Sequence, residues 1–212
     1  MHLLVIGGSK GIGLKTVEAA LAKGYNVRAF ARGADAISID SPLLEGRSGD
    51  ALAADDIATA LEGVDVVISA LGVKERLAML WQEERLFSQS TELLISAMKE
   101  AGKTRLIVVT GFGAGDSKAA MSAIERLGHK ALLGRPYADK DRQEAMIESS
   151  DLDWTIARPV ILRNTPKVGP YRILTEPSTW RNGLISRAEV SDFLVRAAEE
   201  DLYIKQAVVL TR

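Results

Sequence analysis

One short segment near the start of the chain constrains its fold more than any other. Gly7-Gly8-Ser9-Lys10-Gly11-Ile12-Gly13 follows an apolar run at residues 3–6 and precedes apolar residues at helical spacing, Ile12, Val17, Ala20 and Leu21. The order reads as strand, glycine loop, helix. Glycines let the main chain turn sharply and approach a ligand closely, and a helix N-terminus offers free N–H groups with a partial positive charge. The segment therefore predicts an anion-binding turn, and in this setting a turn for a dinucleotide diphosphate. A Walker-type phosphate loop is excluded, because no Gly-Lys-Ser/Thr follows at the required spacing.

The rest of the chain continues the alternation. Apolar runs predict strands at 27–31, 43–47, 64–68, 106–109 and 154–157, and periodicity predicts helices at 55–61, 89–101 and 137–149. Gly24 and Gly102 stand where C-terminal helix glycines belong. Nearly continuous apolar strands separated by helices specify parallel strands covered on both faces. Right-handed crossovers then give a doubly wound sheet. Residues 159–183 are less regular. Ser186-Arg187-Ala188-Glu189 is a capping box, with Ile185 and Val190 as its hydrophobic staple. It opens a last helix with an apolar face of Val190, Phe193, Leu194 and Ala197, and a strand at 207–210 closes the chain. Arg187 and Glu189 are expected to cap and pair, and Trp154 to pack in the core.

Composition narrows the functions. A chain of 212 residues predicts one domain. With 27 Lys+Arg against 28 Asp+Glu the net charge is −1, which gives no electrostatic reason for nucleic acid or an anionic membrane as a direct partner. The absence of cysteine excludes a thiolate zinc site, an iron–sulfur cluster and a cysteine nucleophile. The two histidines, His2 and His129, are far apart in sequence, so no metal is expected. No apolar run approaches the roughly 18 residues of a membrane span. The N-terminus lacks a basic region and reads as a strand rather than a signal peptide. A cytoplasmic monomer or homodimer with a small-molecule substrate is the expectation.

Several stretches resemble the short-chain dehydrogenase/reductase superfamily. Ordinary members carry Thr-Gly-x-x-x-Gly-x-Gly; here Ile6 replaces the threonine, while Gly7, Gly11 and Gly13 match. Atypical, shorter members use Gly-x-x-Gly-x-x-Gly, and on that register Lys10 replaces the middle glycine. Ser48-Gly49-Asp50, the segment 65–72, Ile107-Val108-Val109-Thr110-Gly111, the segment 151–159 and Ile185-Ser186-Arg187-Ala188-Glu189-Val190 resemble the atypical NAD(P)H-binding branch, which includes B-type biliverdin/flavin reductases and NmrA-like regulators. The resemblance spans nearly the whole chain. It implies an α/β fold, a Rossmann-type doubly wound parallel sheet with a small C-terminal substrate cap, in a single domain over 1–212. Cap segments are expected at about 73–87, with Trp81, and 164–182, with Tyr171 and Trp180; ordinary packing or a dimer contact is the alternative for both.

In a dinucleotide fold an acid at the end of the second strand favours NAD, and a basic residue favours the 2′-phosphate of NADP. Val27-Arg28-Ala29-Phe30-Ala31-Arg32-Gly33 holds no acid, and Arg32 can offer a bidentate fork. Ser9 and Lys10 could complete that pocket, so NADP(H) is the expected cofactor. Asp50, followed by Ala51, resembles the family residue beside the adenine amino group, with a turn aspartate as the alternative. Ala70-Leu71-Gly72 should wall the cofactor near its central riboses, because small residues allow close approach.

Ordinary family members use a Ser-Tyr-Lys triad with Tyr-x-x-x-Lys on one helix. Here Thr110 stands in the serine region and Lys140 in the lysine place, where it should touch the ribose. Pro136 occupies the tyrosine position, with Tyr137 beside it as the candidate proton donor. Asp139 and Asp141 read as first-turn acids complementing the helix dipole. The resemblance implies that Pro159, Val160 and Ile161, with Leu162, flank the nicotinamide. It also implies an NADP(H)-dependent oxidoreductase transferring hydride to a small flavin, quinone or carbonyl acceptor. A non-catalytic NADP(H)-sensing regulator of the NmrA-like kind is the first alternative. An NAD(P)-dependent sugar-nucleotide epimerase or dehydratase is the second, although few residues remain after Pro159 for its substrate lobe.

Overall fold

A computed structural model describes residues 1–72, 85–122, 137–166 and 168–212. Trp81, His129 and Pro136 therefore lie outside the described residues. The strands are β1 (His2–Ile6), β2 (Asn26–Ala31), β3 (Leu44–Ser48), β4 (Val66–Ser69), β5 (Arg105–Val109), β6 (Asp153–Pro159), β7 (Ile161–Arg163), β8 (Arg172–Leu174), β9 (Leu184–Ser186) and β10 (Gln206–Thr211). The helices are α1 (Gly11–Ala22), α2 (Ala54–Ala60), α3 (Leu86–Glu100), α4 (137–148) and α5 (Arg187–Glu199).

Eight strands form one sheet in the order β3-β2-β1-β4-β5-β6-β10-β8. Every pairing in it is parallel except that of β8 with β10. This is the Rossmann-type α/β architecture. The connections leave β1 in opposite directions, toward β2 and toward β4, so a crevice opens at the carboxyl ends of β1 and β4. A separate parallel pair, β7 with β9, sits just beyond β6.

Strand periodicity divides the core. Leu3 and Val5 point to one face and join Val17 of α1 and Phe193 and Leu194 of α5. Leu4 and Ile6 point to the other and join Ile57 of α2, Leu94 and Met98 of α3, and Ile147 of α4. Both faces of β1 are thus covered, which is why its sequence is apolar at successive positions rather than alternate ones.

The helix ends follow local rules. Gly24 has φ +80°; its N–H donates to the Leu21 carbonyl while the Tyr25 N–H donates to Ala20, a Schellman ending of α1. Gly102, at φ +63°, and Lys103 close α3 in the same way. In the predicted capping box, the Glu189 N–H donates to Ser186 Oγ (3.0 Å) and the Ser186 N–H to Glu189 Oε2 (2.8 Å).

Asp139 stands in the first turn of α4, as expected, and has a further role. Asp139 is fully buried and accepts hydrogen bonds from the Phe87 N–H (2.8 Å), the Ser88 N–H (3.2 Å) and the Ser88 hydroxyl (2.5 Å). These are donors of the first turn of α3, so Asp139 caps a neighbouring helix and not its own. Asp141 likewise turns outward from its helix, accepting from the Gly115 N–H (2.8 Å) and pairing with Lys118 (2.8 Å).

Of the two readings of 164–182, cleft wall or ordinary packing, the contacts of its described aromatics are those of packing. That segment returns to the sheet as β8, the antiparallel edge beside β10. Trp180 is buried, with its indole N–H on the Leu174 carbonyl (3.0 Å), and Tyr171 donates to Asp192 (2.7 Å). Both aromatics serve packing of the C-terminal half. The other segment, 73–87, is described only from Arg85 onward.

Candidate functional site

A cleft of about 1060 Å³ runs across the carboxyl ends of β2, β1, β4, β5 and β6. It lies just above the roughly 300–1,000 Å³ usual for ligand sites, as an extended ligand requires. Its middle is the glycine loop, where Gly7, Ser9, Lys10, Gly11 and Ile12 line it. Gly7 has φ +79°, and an added Cβ there would lie 2.7 Å from the Ala70 carbonyl oxygen. A side chain at this position would therefore push the loop off β4.

The N-terminus of α1 differs chemically from that of α5. Lys10 stands at the N-cap without a side-chain capping bond, and the first turn holds no acid. No side-chain cap takes its first N–H groups, whereas at α5 Ser186 takes the Glu189 N–H and Glu189 takes the Ser186 N–H. Ser191 Oγ donates to the Ile12 carbonyl (3.1 Å), so the start of α5 is held beside the start of α1.

On one side of the loop lies the end of β2. Phe30, Ala31, Arg32 and Gly33 line the cleft there, facing Asp50, Ala51 and Leu52 after β3. Arg32 is exposed, and no acid stands at the end of this strand. Asp50 lines the cleft and also accepts from the Leu52 N–H (3.0 Å), so it is a turn former as well.

On the other side, Ala70, Leu71 and Gly72 form the wall after β4. Val109, Thr110, Lys140, Pro159 and Leu162 line the far end, with Arg85, Gln89 and Arg187. Leu162 was expected beside the nicotinamide and Arg85 falls in the expected wall segment 73–87, whereas Gln89 and Arg187 were not picked out from sequence as cleft residues. Arg187 was expected only to cap and pair; its Nη1 donates to Asn164 Oδ1 (2.5 Å) and it lines the cleft.

Four expected contacts are not among the cleft-lining residues. Gly13 is covered by the loop, where an added Cβ would lie 2.2 Å from the Gly7 carbonyl oxygen. Its role is close packing of helix on loop. Val160 is buried in the core, its N–H on the Leu210 carbonyl (3.1 Å). Ile161 is 58% exposed on β7, opposite Leu184. Tyr137 packs its hydroxyl against Gly111, where an added Cβ would lie 2.6 Å from it.

Behind the far end is a buried polar cluster that sequence reasoning missed. Thr110 Oγ1 donates to Glu144 Oε1 (2.6 Å), and Arg158 holds both oxygens of Glu144, through Nε (3.1 Å) and Nη2 (2.7 Å). Asp116 pairs with Arg158 Nη1 (2.5 Å), and the Trp180 ring lies 5.0 Å from the guanidinium carbon. Lys140 Nζ donates to the Thr110 carbonyl (2.5 Å) and stands over the rings of Phe87 and Tyr137. Burial pulls the Lys140 amine down to about 8, against the opposing pull of the Glu144 carboxylate. Burial, with Glu144 adding to it, pushes the Tyr137 phenol up to about 12. The spacing of Lys140 and Glu144, one helical turn, was the available signal.

The NAD(P)H-binding family matches residues 7–201. The chain belongs to that family. No curated protein sequence matches it. Among solved structures, this family member is similar to ChuY, an anaerobilin reductase from Escherichia coli, at 27% identity and a TM-score of 0.83, covering 100% of this chain and 97% of that one. A short-chain dehydrogenase/reductase from Veillonella parvula, solved with NADP, shares 16% identity at a TM-score of 0.84, covering 100% and 94%. An oxidoreductase from Lactococcus lactis shares 18% at 0.84, covering 100% and 91%. The last two likenesses speak for the fold alone. Among the described residues, no helix is long and apolar enough to cross a membrane.

Proposed function

We propose that the chain is an NADP(H)-dependent oxidoreductase of the atypical short-chain dehydrogenase/reductase type, reducing a small flavin, quinone or carbonyl acceptor. The observation that carries the cofactor choice is Arg32, which lines the cleft at the end of β2 where no acid stands. A guanidinium there suits a 2′-phosphate and leaves bare ribose hydroxyls without their usual acceptor. The uncapped first turn of α1 fits the diphosphate. Thr110, Lys140 and Pro159 line the end of the cleft left for the nicotinamide and the acceptor.

Reduced nicotinamide supplies the electron pair together with one hydrogen; the chain's own residues position the reactants. The Thr110 carbonyl holds Lys140, and Glu144 with Arg158 holds the Thr110 hydroxyl. Thr110 and Lys140 are thereby oriented at the far end of the cleft. The anaerobilin reductase, at 27% identity, supports a reductase and adds an anaerobilin-like acceptor to the candidates.

The test is spectrophotometric. NADPH is mixed with the protein and with FMN, a 1,4-naphthoquinone, an aldehyde or anaerobilin. Oxidation of NADPH by at least one acceptor above the protein-free rate is expected. No oxidation with any of them, together with equal affinity for NADP⁺ and NADPH, would replace this reading with the sensing one, which the position of Tyr137 away from the cleft favours.

A further inference from the structure

Reduction of a carbonyl or conjugated acceptor adds two hydrogens. One arrives with the electron pair from the reduced nicotinamide nucleotide, and the other arrives as a proton. Among the described residues, Arg85, Gln89, Thr110, Lys140 and Arg187 carry a hydrogen on a heteroatom at the far end of the cleft, with Tyr137 close behind it. A guanidinium does not give up its proton near neutrality and a neutral amide is not an acid, which leaves Thr110, Tyr137 and Lys140 to compare. The Thr110 hydroxyl directs its hydrogen to Glu144, which leaves only lone pairs for a ligand. Glu144 is fixed there by two bonds from Arg158. The Tyr137 hydroxyl closes against the Gly111 backbone, and Tyr137 is not among the cleft-lining residues. Lys140 lines the cleft, and its ammonium has three hydrogens, of which the Thr110 carbonyl takes one.

We propose that Lys140 is the proton donor of this site, rest on the oxidoreductase reading above, and assign Glu144 as the charge that keeps Lys140 protonated. In the step, an N–H bond of the Lys140 ammonium breaks and its proton joins the acceptor oxygen or nitrogen. The neighbouring acceptor atom receives the hydrogen and electron pair from the nucleotide, so one acceptor double bond is reduced and the nucleotide is oxidised. Neutral Lys140 then regains a proton from water. The surroundings suit a lysine that gives up a proton near neutrality. Desolvation against Phe87 from α3 and Tyr137 from its own helix disfavours the charged amine, and Glu144, one turn along, opposes this. Arg158 from β6 stands behind Glu144 and is paired in turn with Asp116. Arg85 at the start of α3 and Arg187 at the start of α5 line the same cleft.

Two measurements decide the assignment. The first is the titration of lysine side chains in ¹³C/¹⁵N-lysine-labelled protein by NMR, with and without NADPH, the Lys140 signal being the one missing from Lys140→Met. It should titrate near pH 8. The second is the single-turnover rate of 1,4-naphthoquinone or aldehyde reduction at saturating NADPH. An acid must be protonated to act, so this rate should fall about tenfold per pH unit above the Lys140 midpoint. In Lys140→Met, and in Lys140→Gln as a second variant, it should be lowered by about 10²-fold or more and lose that alkaline limb. Binding of NADPH, followed by its fluorescence, shows that each variant retains a folded cleft. An alkaline limb that persists in both variants, or a Lys140 signal that titrates near 10.5, overturns the assignment while leaving the oxidoreductase intact. NADPH binding without oxidation by any acceptor overturns both.

Discussion

Gly13 offers the sharpest check on how the glycine loop is built. In Gly13→Ala the new Cβ would lie 2.2 Å from the Gly7 carbonyl oxygen and 2.7 Å from its carbon. Ordinary contact begins near 3.4 Å, so the loop or the helix must move by about 3.4 − 2.2 = 1.2 Å. Gly7 cannot easily retreat. Its N–H donates to the Phe30 carbonyl (2.8 Å), and its α-carbon already faces the Ala70 carbonyl. Forcing the clash costs about 1–3 kcal/mol as overpacking, and losing the Phe30 bond adds about 1 kcal/mol. Alanine in place of glycine returns about 1 kcal/mol of helix propensity. The clash wins, by about 1–3 kcal/mol. For a chain of this size the ligand-free melting temperature should fall by roughly 2–12 °C. The displaced loop should also weaken NADPH binding at least about tenfold, because its N–H groups are the proposed diphosphate site. Gly33→Ala is the control, since nothing lies within 4 Å of its added Cβ; its stability should stay within about 0.5 kcal/mol. Calorimetry of both variants, with NADPH titrations, makes the comparison. A Gly13→Ala protein that melts within a degree of the parent and binds NADPH normally would refute the packing argument.

Other perturbations probe the remaining parts of the site. Arg32→Ala should weaken NADP(H) by about 1.5–3 kcal/mol and leave NAD(H) within about 0.5 kcal/mol, as read by isothermal calorimetry; equal losses would remove the 2′-phosphate assignment. Glu144→Ala leaves the Arg158 guanidinium buried with only the exposed Asp116 as a charged partner, so urea unfolding should show a loss of about 3–5 kcal/mol, and Glu144→Gln a smaller one. Asp139→Ala strips the first turn of α3 of its cap and should cost about 1–3 kcal/mol in the same assay, with Asp139→Asn recovering part. Lys140 binds its proton less tightly in the folded chain, at about 8, than in the unfolded chain, near 10.5. Between those values the unfolded state holds more protons, so the Lys140 contribution to stability rises with pH, by about 1–3 kcal/mol, and the difference between parent and Lys140→Met should trace that rise; a flat difference would show that Lys140 is not desolvated.

The fold was legible because each signal was local. The apolar run at 3–6, the glycines at 7–13 and the capping box at 186–189 each specify structure within one turn or one strand. What was missed depends on the sheet bringing distant residues together. Asp139 looks like a first-turn acid of its own helix, yet its partners Phe87 and Ser88 lie about fifty positions earlier. The Glu144–Arg158 pair links α4 to β6, and nothing in either segment alone marks it. Pro159, Val160 and Ile161 were read as one contact strip. The chain steps from β6 to β7 within it, so Pro159 and Leu162 reach the cleft, Val160 enters the core and Ile161 faces out. The aromatics of 164–182 carried no sign of direction, and the sheet edge claimed them.

Tyr137 shows how a shift of one residue changes the chemistry available. An α-helix advances about 100° per residue. A ring four positions before Lys140 lies roughly 40° around the helix from it, and a ring three positions before lies roughly 60° away on the opposite side. The proline at 136 and the tyrosine at 137 therefore rotate the phenol by about 100° from the place the family spacing provides. It lands on Gly111, whose missing side chain makes room for it, and the surrounding burial pushes its proton out of reach. The same contact brings the Tyr137 ring to within 5.2 Å of Lys140 Nζ, and Phe87 lies across from it at 5.0 Å. The displaced tyrosine thus helps desolvate the lysine beside it. Losing the phenol from the cleft and lowering the amine are one structural event, which couples the departure from the Tyr-x-x-x-Lys pattern to the residue that replaces its function.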